Sequence, residues 1–414
     1  MAAMSPSSEP SGPLAGIRVV DLSTVLAGPY ASMILADLGA DVVKVEPPEG
    51  DATRGWGPPW VGDEGAGTRT AAYYRAVNRN KRSLRLDLKT AEGGDVLRRL
   101  LADADVFVEN LRPGSLDRLG FGDDALRAIA PRLVHLAISG YGTTGPAATR
   151  PGYDFVIQAV SGLMSITGDA DAEGGHPTKV GVAISDVVTG LYAVIGILAA
   201  LLERGAAPSR SGQRVDASLL AATLSVLVNQ AQNAFVSSLP PGRKGNAHPN
   251  IVPYETFPTA DGELAVAVGS ERQWARLCAL LEREDLADDP RFATNGERVV
   301  HRAELRAILA ERFAARPTAT WLADLEAGEI PCGAIADVGE AFASPEAVAL
   351  DMLAEIEHPA WGVLRQVGIP LRFERSPGSI RTAPPLLGEH GEAILGELGY
   401  DEVAITALRA RGVI

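Results

Sequence analysis

A single carboxylate stands at the head of the most apolar segment of the chain. The segment VGVAISDVVTGLYAVIGILAALL (180–202) contains one acidic residue, Asp186, and no basic residue. Its apolar side chains recur three or four positions apart, which predicts a helix with a stripe formed by Gly190, Leu191, Val194, Leu198 and Leu201. An aspartate at this place either caps the helix or acts as a nucleophile kept away from water. The residues alone leave both roles open.

Two basic clusters stand out because the chain as a whole carries a net charge of −14. The segment RAVNRNKRSLRLDLK (75–89) has six basic residues, and ENLRPGSLDRLG (109–120) places two arginines around a Pro-Gly turn that opens a helix. Guanidinium and ammonium groups pair strongly with phosphate oxygens, and the free N–H groups of a helix start favour an anion. The clusters therefore predict either a multiply phosphorylated ligand or a solvated charged surface.

Several classes of protein are disfavoured by what the chain contains. Its acidity argues against a nucleic-acid or membrane-surface partner, and its two cysteines suit a reducing cytoplasm. Scattered histidines favour no metal site. No GxGxxG follows the first predicted strand, and neither a P-loop nor a GxSxG motif occurs. We expect residues 1–15 to be a disordered lead-in without a signal peptide, and the longest apolar run (190–202) to be too short to span a bilayer.

The first 140 residues alternate β-branched strand patterns with helical patterns. Strands predicted at 16–23, 41–48, 105–110 and 133–142 are separated by helices, which indicates an open, parallel α/β sheet. Ligands bind such sheets beyond the carboxyl ends of the strands. Predicted domains are a large α/β domain, a linker, a small domain with a hairpin at Asp261-Gly262, and a final return segment, at 16–202, 203–224, 225–325 and 326–414.

Several ordered blocks resemble one family over nearly the whole chain. They are VLAGPYASMILADLGADVVKVEPPEGDATRGWGPP, NRNKRSLRLDLK, VFVENLRPGSLDRLG, GYGTTGPAATRPGYDFVIQAVSGLMSITG, VGVAISDVVTGLYAVIGILAAL, HPNIVPYETF and APPLLGEHGEAIL. These blocks are similar to the class III CoA-transferases and look closest to the succinyl-CoA:dicarboxylate (glutarate) transferases. The resemblance implies a large Rossmann-like α/β domain built from both chain ends, a smaller inserted α+β domain and an interlocked homodimer. It implies a CoA thioester as substrate and no tightly bound cofactor.

The resemblance also assigns roles to single positions. Asp186 matches the family nucleophile, a carboxylate that attacks the acyl-CoA thioester. The matching CoA contacts are Val25, Ala27, Leu86, Lys89, Asn110, Leu111, Ser115 and Arg118, with Arg150 as a further basic contact. The matching active-site lining is Tyr153, Asp154, Leu26, Gly269 and Trp56. Arg54 is our candidate for binding the distal carboxylate of an acceptor acid.

Departures from the family pattern narrow the activity. Leu26 stands where formyl-CoA transferase has a glutamine, which weakens a formyl/oxalate assignment, and the glycine-rich loop of that enzyme is reduced here to Gly269. The related α-methylacyl-CoA racemases use a histidine where this chain has Tyr153, a poor base near neutral pH. CoA transfer is therefore the leading prediction. A racemase and a non-catalytic CoA-binding protein are the alternatives.

Overall fold

The structure, a computed structural model, describes residues 12–414. Most of the predicted lead-in (1–15) thus lies outside the described residues. The described chain forms two compact units. The first consists of the chain up to Ser161, Gly181–Val226 and Pro345–Ile414, and the second of Gly162–Val180 and Leu227–Ser344.

Strands and helices alternate through the first half of the chain. The strands are β1 (Arg18–Asp21), β2 (Asp41–Glu46), β3 (Trp60–Val61), β4 (Thr70–Ala71), β5 (Lys81–Arg85), β6 (Val106–Glu109), β7 (Val134–Ser139), β8 (Arg214–Ser218), β9 (Tyr254–Pro258), β10 (Glu263–Ala267), β11 (Cys332–Ala334), β12 (Leu353–His358) and β13 (Gly362–Val367). The helices up to Ser225 are α1 (Ala27–Asp37), α2 (Ala72–Arg75), α3 (Ala91–Ala102), α4 (Ser115–Arg118), α5 (Asp123–Ile129), α6 (Asp154–Val160), α7 (Ile184–Ala206) and α8 (Leu219–Ser225). The later helices are α9 (Val228–Ser237), α10 (Glu271–Leu280), α11 (Asp285–Asp288), α12 (Asn295–Val300), α13 (Arg302–Phe313), α14 (Thr318–Ala327), α15 (Val338–Ala343), α16 (Pro345–Ala349), α17 (Gly391–Glu397) and α18 (Glu402–Ala410).

A six-stranded sheet forms the centre of the first unit, with strand order β5-β2-β1-β6-β7-β8 and parallel pairing throughout. Successive residues of β1 face opposite sides of the sheet. Val19 packs in the cluster that includes α1 and α7, and Val20 packs in the cluster that includes α3, α17 and α18. Both faces are thus covered by helices, as parallel sheets require. The predicted α/β class with a parallel sheet is confirmed.

The strand order reverses between β1 and β6, and this reversal places two loops side by side. The chain runs from β1 to its neighbour β2 on one side, whereas β6 returns on the other side of β1. Ligands of open α/β sheets bind where the order reverses, beyond the carboxyl ends of the strands. The loop after β1 and the loop after β6 are joined there by Asn110, whose amide group accepts a hydrogen bond from Thr24 N (2.9 Å) and donates one to Thr24 O (2.7 Å).

The second unit has its own sheet and its own core. Strands β9 and β10 form the antiparallel hairpin that Asp261-Gly262 predicted, and β11 pairs with β10. The aromatic rings of Phe257, Phe313 and Trp321 pack together at the centre of this core. The unit combines a three-stranded sheet with helices, which agrees with an α+β arrangement.

Two boundaries expected from the sequence are corrected. Residues 203–224 were expected as a linker, but they form the end of α7, strand β8 and most of α8. The polar residues that suggested a linker lie in the last turn of α7 and in the turn at 207–213 that leads into β8. The second unit also takes Gly162–Val180 and continues to Ser344, beyond the expected 225–325. The first of these segments contains only 3-10 turns, which leave no periodic pattern in the sequence.

Helix α7 is longer than its apolar run suggested. By length and composition its 23 residues could span a membrane, whereas the sequence predicted that no segment is long enough to do so. Within the first unit, however, one stripe of the helix packs on α1 and the sheet through Ala193, Ile197 and Ala200. Such a stripe is typical of the core helix of an α/β domain.

Buried ion pairs tie together the strands that carry the site. Lys81 Nζ on β5 lies 3.1 Å from the Asp21 carboxylate at the end of β1, and Lys44 Nζ on β2 lies 3.0 Å from Asp51. None of these four side chains is exposed to solvent. Lys44 also donates to Ser23 O (2.9 Å). Burial opposes ionisation, but the two lysines nevertheless lower the pKa of Asp21 to about 2.

Replacing Lys81 by methionine is expected to lower the free energy of unfolding by about 3–5 kcal/mol, because Asp21 would remain as a buried charge that has lost one of its two lysine partners. Urea unfolding followed by circular dichroism measures the loss. Arg98→Met is the matched control, since its pair with Asp95 is exposed and such pairs contribute less than about 1 kcal/mol. Equal, small losses in the two variants would contradict the prediction.

Candidate active site

Asp186 lies in the first turn of α7, but it does not cap the helix. The N-cap residue is Ala183, which places Asp186 three residues inside the helix. The cap is supplied from another helix, because Asp154 at the start of α6 accepts a hydrogen bond from Ser185 N (2.8 Å). The second oxygen of Asp154 accepts a hydrogen bond from Gln158 (2.8 Å). The N-cap role expected for Asp186 therefore belongs to Asp154.

The surroundings of Asp186 make its ionised form unusually costly. Burial, and then the like charge of Asp154, raise the pKa of Asp186 from 3.8 to about 7. One group opposes this shift, because the Ala27 N–H at the start of α1 donates a hydrogen bond to the carboxylate. A carboxylate that is desolvated and poorly neutralised is a reactive nucleophile. The geometry thus favours the chemical role over a structural one.

Close packing of α1 against α7 brings the Ala27 N–H to the carboxylate. The contact occurs at Gly190, one turn after Asp186, where a Cβ would lie 2.9 Å from Ala27 O and 3.0 Å from the Tyr30 ring. Only a glycine allows this approach. The loop that leads into α1 is itself constrained, because Val25 has a φ of +71°, a conformation that β-branched residues rarely adopt. Strain of this kind is concentrated at functional sites.

A cavity of about 210 Å³ opens beside Asp186 and contains most of the predicted CoA-side residues. Its lining includes Val25, Ala27, Asn110, Leu111, Arg150 and Tyr153. The loops on its far wall meet at Gly140 and Gly152, where a Cβ on either residue would come within 2.7 Å of the other's Cα. The structure thus brings together predicted site residues that are up to 161 positions apart, from Val25 to Asp186.

Arg112 is a basic residue of this cavity that our site prediction left out. It and Arg150 are both exposed, and within residues 12–414 neither guanidinium forms an ion pair with a carboxylate. The signal for Arg112 was present in the ENLRPGS block, where it follows a strand that ends at the site. Two arginines without an ion pair beside Asp186 suit an anionic ligand.

Tyr73 is a second residue that the site prediction left out. Burial, and then the carboxylates of Asp186 and Asp154, raise the pKa of its phenol to about 12. Tyr73 therefore stays neutral and keeps its proton for donation. Its ring meets that of Trp56 edge to face, with 5.4 Å between centroids. Trp56, one of the predicted lining residues, is thereby connected to the surroundings of Asp186.

The basic cluster at 75–89 is mostly internal and does not form a phosphate site. Arg79 pairs with Asp37 (2.7 Å), Lys81 with Asp21, and Arg82 with Asp41 (2.7 Å). The cluster fits neither of the two interpretations that the sequence left open, because three of its six charges are neutralised by acids that lie 41 to 60 residues away in the chain. Lys89, at its end, is exposed.

Arg54 is not free to hold an acceptor acid. Its guanidinium pairs with both oxygens of Glu46 (2.8 and 2.7 Å), donates to Tyr74 Oη (2.6 Å) and Pro385 O, and lies over the Tyr74 ring. Only 12% of its side chain is exposed. The structure therefore gives Arg54 a structural role, which corrects the expectation from the sequence.

The remaining predicted residues of the first unit do not line this cavity. Leu86 is 1% exposed and its side chain packs in the core, and its contact with CoA stays a prediction. Arg118 is exposed and donates to Ser115 Oγ (2.7 Å), and together with Lys89 it stays a prediction for the outer part of a CoA site. Gly269 belongs to the second unit, where its N–H donates to Gln273 (2.9 Å). Its place at the active site also stays a prediction.

Asp186→Asn is expected to stabilise the protein by about 1–3 kcal/mol at about pH 8 and to leave stability unchanged at about pH 4. The native pKa lies above the unfolded value, so the stability that protonated Asp186 contributes is complete at low pH and is lost as the pH rises through about 7. Urea unfolding at the two pH values measures the difference. If the unchanged protein and Asp186→Asn were equally stable at about pH 8, ionising Asp186 would cost the folded protein no free energy, and the prediction would be wrong.

Comparison with known proteins identifies the family. Residues 14–391 match CoA-transferase family III. The chain is 45% identical to a succinate–glutarate CoA-transferase of Agrobacterium fabrum, over 93% of this chain and 96% of that protein. It is 42% identical to the human succinyl-CoA:glutarate CoA-transferase, over 97% of this chain and 90% of that protein.

Solved structures agree with the sequence matches. A CaiB/BaiF family protein from Brucella suis is 44% identical, with a TM-score of 0.82 over 94% of this chain and all of that one. Rv3272 from Mycobacterium tuberculosis is 29% identical, with a TM-score of 0.81 over 93% of this chain and all of that one. The family match over residues 14–391 and the relatives at 42–45% identity show that the chain belongs to CoA-transferase family III.

Proposed function

We propose that the protein transfers CoA from succinyl-CoA to a dicarboxylate such as glutarate, with Asp186 as the nucleophile. Relatives at 42–45% identity carry the names of succinate–glutarate transferases. The single observation that carries the mechanism is the placement of Asp186, which combines burial, a raised pKa of about 7 and a cavity at its side.

The reaction proceeds by exchange of acyl groups on Asp186. The carboxylate attacks the thioester carbon of the donor, the C–S bond breaks, and a mixed anhydride and the CoA thiolate form. The thiolate then attacks the aspartyl carbonyl carbon, releasing the donor acid and leaving an aspartyl-CoA thioester. The acceptor carboxylate attacks that thioester to form a second anhydride, and the thiolate finally attacks its acyl carbon. The products are the new acyl-CoA and free Asp186, and no water is consumed.

Groups around Asp186 support the charges that develop in these steps. The Ala27 N–H holds the carboxylate oriented toward the cavity side. The neutral Tyr73 phenol has a proton to donate to a tetrahedral oxyanion, where a well-placed donor has its largest effect. Arg112 and Arg150 supply positive charge for CoA phosphates, with Arg118 and Lys89 farther out. Tyr153 lines the same cavity, and Trp56 packs against Tyr73 beside it.

A racemase is the weaker alternative, because this chain has Tyr153 where the related racemases use a histidine. Tyr153 is 60% exposed at the N-cap of α6, and within residues 12–414 no carboxylate accepts a hydrogen bond from its hydroxyl. A racemase would exchange the α-proton of an acyl-CoA in deuterated water without any acceptor acid. A transferase requires the acceptor.

Trapping tests the proposed mechanism. Incubation with succinyl-CoA followed by borohydride or hydroxylamine is expected to modify Asp186, as mapped by mass spectrometry. Asp186→Ala should lower kcat by at least about a thousandfold, because a nucleophile leaves no substitute behind. Asp171→Ala is the control, since Asp171 is an exposed acid of the second unit. An unmodified Asp186, or undiminished turnover in Asp186→Ala, would overturn the mechanism.

We also propose that the protein is an interlocked homodimer. Exposed apolar side chains support the association. On α7 of the first unit Ile195 and Leu202 are 60% and 77% exposed, and on α9 of the second unit Phe235 and Val236 are 74% and 84% exposed. Apolar surface of this kind is typical of a protein interface. A second copy of the chain is the partner that the family resemblance implies. The cytoplasmic location and the lack of a resident cofactor stay predictions.

Sedimentation equilibrium is expected to give twice the chain mass of 43.3 kDa. Interlocking makes a sharper prediction, because linked subunits cannot separate without unfolding. Tagged and untagged dimers mixed under native conditions should form no mixed dimer, and should form it after denaturation and refolding. Free exchange under native conditions would rule out interlocking while leaving a simple dimer.

A further inference from the structure

The loop after β6 is a thin wall between two cavities. A cavity of about 510 Å³ adjoins the one beside Asp186. Residues that line both are Leu111, Arg112, Pro113, Ile138 and Ser139. A loop that borders a cavity on each side has fewer packing contacts than a loop inside a core, because a cavity supplies no partner atoms. Its conformation therefore depends strongly on the hydrogen bonds at its base.

Two neighbouring side chains hold this base from opposite sides. Asn110 lines the cavity beside Asp186 and bonds to the backbone N–H and C=O of Thr24. Glu109, the last residue of β6, lines the 510 Å³ cavity instead, and its Oε2 accepts a hydrogen bond from Leu111 N (2.7 Å). The Asn110 bonds join the loop to the loop after β1. The Glu109 bond fixes the turn immediately before Arg112.

Glu109 is a buried carboxylate with weak neutralisation. It is 6% exposed, and within residues 12–414 no lysine or arginine forms an ion pair with it. Its basic neighbour is His135, whose Nε2 lies 3.6 Å from Oε1, the oxygen that Leu111 N does not use. A charge buried in this way lowers stability, and an apolar residue of similar size would serve the fold as well or better. Its presence points to a role in the neighbouring loop.

His135 is fixed beside Glu109 by the sheet. It stands opposite Phe107 in the parallel pair of β6 and β7, and the two rings stack with 5.3 Å between centroids. Its Nδ1 lies 3.7 Å from Asp123, which pairs with Arg214 (2.8 Å). His135 is 4% exposed, and among the described residues its Nε2 has no hydrogen-bond partner. A small movement of Glu109 would thus be enough for a hydrogen bond between the two.

We propose that Glu109 is a positioning residue for CoA, supported by His135. By holding Leu111 N, its carboxylate sets the turn that presents Leu111 and Arg112 to the cavity beside Asp186. Glu109 itself does not line that cavity, so CoA affinity depends on a carboxylate that CoA does not touch. The inference rests on the proposed function, because CoA is the ligand that the loop is proposed to bind.

Calorimetric titration with CoA, together with steady-state kinetics, tests this role. Glu109→Ala is expected to weaken the Kd for CoA about tenfold, since the hydrogen bond it removes involves a charged group. The KM for succinyl-CoA should rise by a similar factor, whereas kcat and the KM for glutarate should stay within about twofold. Binding that is lost equally from the bound substrate and the transition state changes KM alone.

Conservative variants separate positioning from general damage. Glu109→Gln keeps an oxygen that can accept from Leu111 N, and it is expected to restore the Kd for CoA to within about threefold of the unchanged protein. Glu255→Ala is the matched control, because Glu255 is 7% exposed, pairs with Arg306 and lies in the second unit. If Glu109→Ala folds poorly, Glu109→Asp keeps the charge but withdraws it by one methylene, and it is expected to bind CoA more weakly than the unchanged protein.

Two results would overturn the inference. One is a Kd for CoA that is the same in Glu109→Ala, or in its replacement Glu109→Asp, as in the unchanged protein. The other is a loss in Glu109→Gln as large as in Glu109→Ala with kcat and both KM values impaired together, which would show general damage. If the unchanged protein transferred CoA from succinyl-CoA to no acid, the proposed function would fail instead, and the Kd values for CoA would still decide the role of Glu109.

Discussion

The buried charges at the carboxyl ends of β1, β2 and β5 are the constraint on which the site depends. Lys81 and Lys44 neutralise Asp21 and Asp51 where no water reaches them. Such pairs add little net stability by themselves, but breaking one leaves a buried charge. Because Lys44 also holds Ser23 O, the network fixes the start of the loop that carries Ala27 to Asp186. The register of β1, β2 and β5 and the position of the Ala27 N–H are thereby set together.

The surroundings of Asp186 lower the stability of the folded protein. Burial and the like charge of Asp154 disfavour the ionised form, and Val25 holds a strained backbone angle nearby. Asp154 is kept there because it also caps α7 through Ser185 N. A single carboxylate, that of Asp154, therefore caps the helix that carries Asp186 and raises the pKa of Asp186. Reactive sites commonly conflict with stability in this way.

Local patterns predicted what depends on local sequence. The first strands, α1 and the hairpin at Asp261-Gly262 follow from periodicity and turn residues, and Asp186 was recognisable from its apolar setting and from family resemblance. Side-chain partners distant in the chain were not predictable. Arg79 finds Asp37 and Lys81 finds Asp21 only after the strands pair, so a buried ion network resembled a phosphate-binding cluster. Arg54 is paired with Glu46, only eight residues earlier in the chain, and also donates to the distant Pro385 O, a contact that forms only in the fold.

The proposed transfer chemistry places one requirement on the surroundings of Asp186. Under that mechanism the CoA thiolate stays bound while one acid leaves and another arrives, because both anhydrides are resolved by the same thiolate. The cavity beside Asp186 contains Arg112 and Arg150, whose guanidinium groups form no ion pair within residues 12–414 and suit the phosphates of CoA. The Ala27 N–H that bonds to the carboxylate belongs to the same cavity. CoA binding and the orientation of Asp186 therefore depend on one feature of the fold, the close packing of α1 against α7 at Gly190.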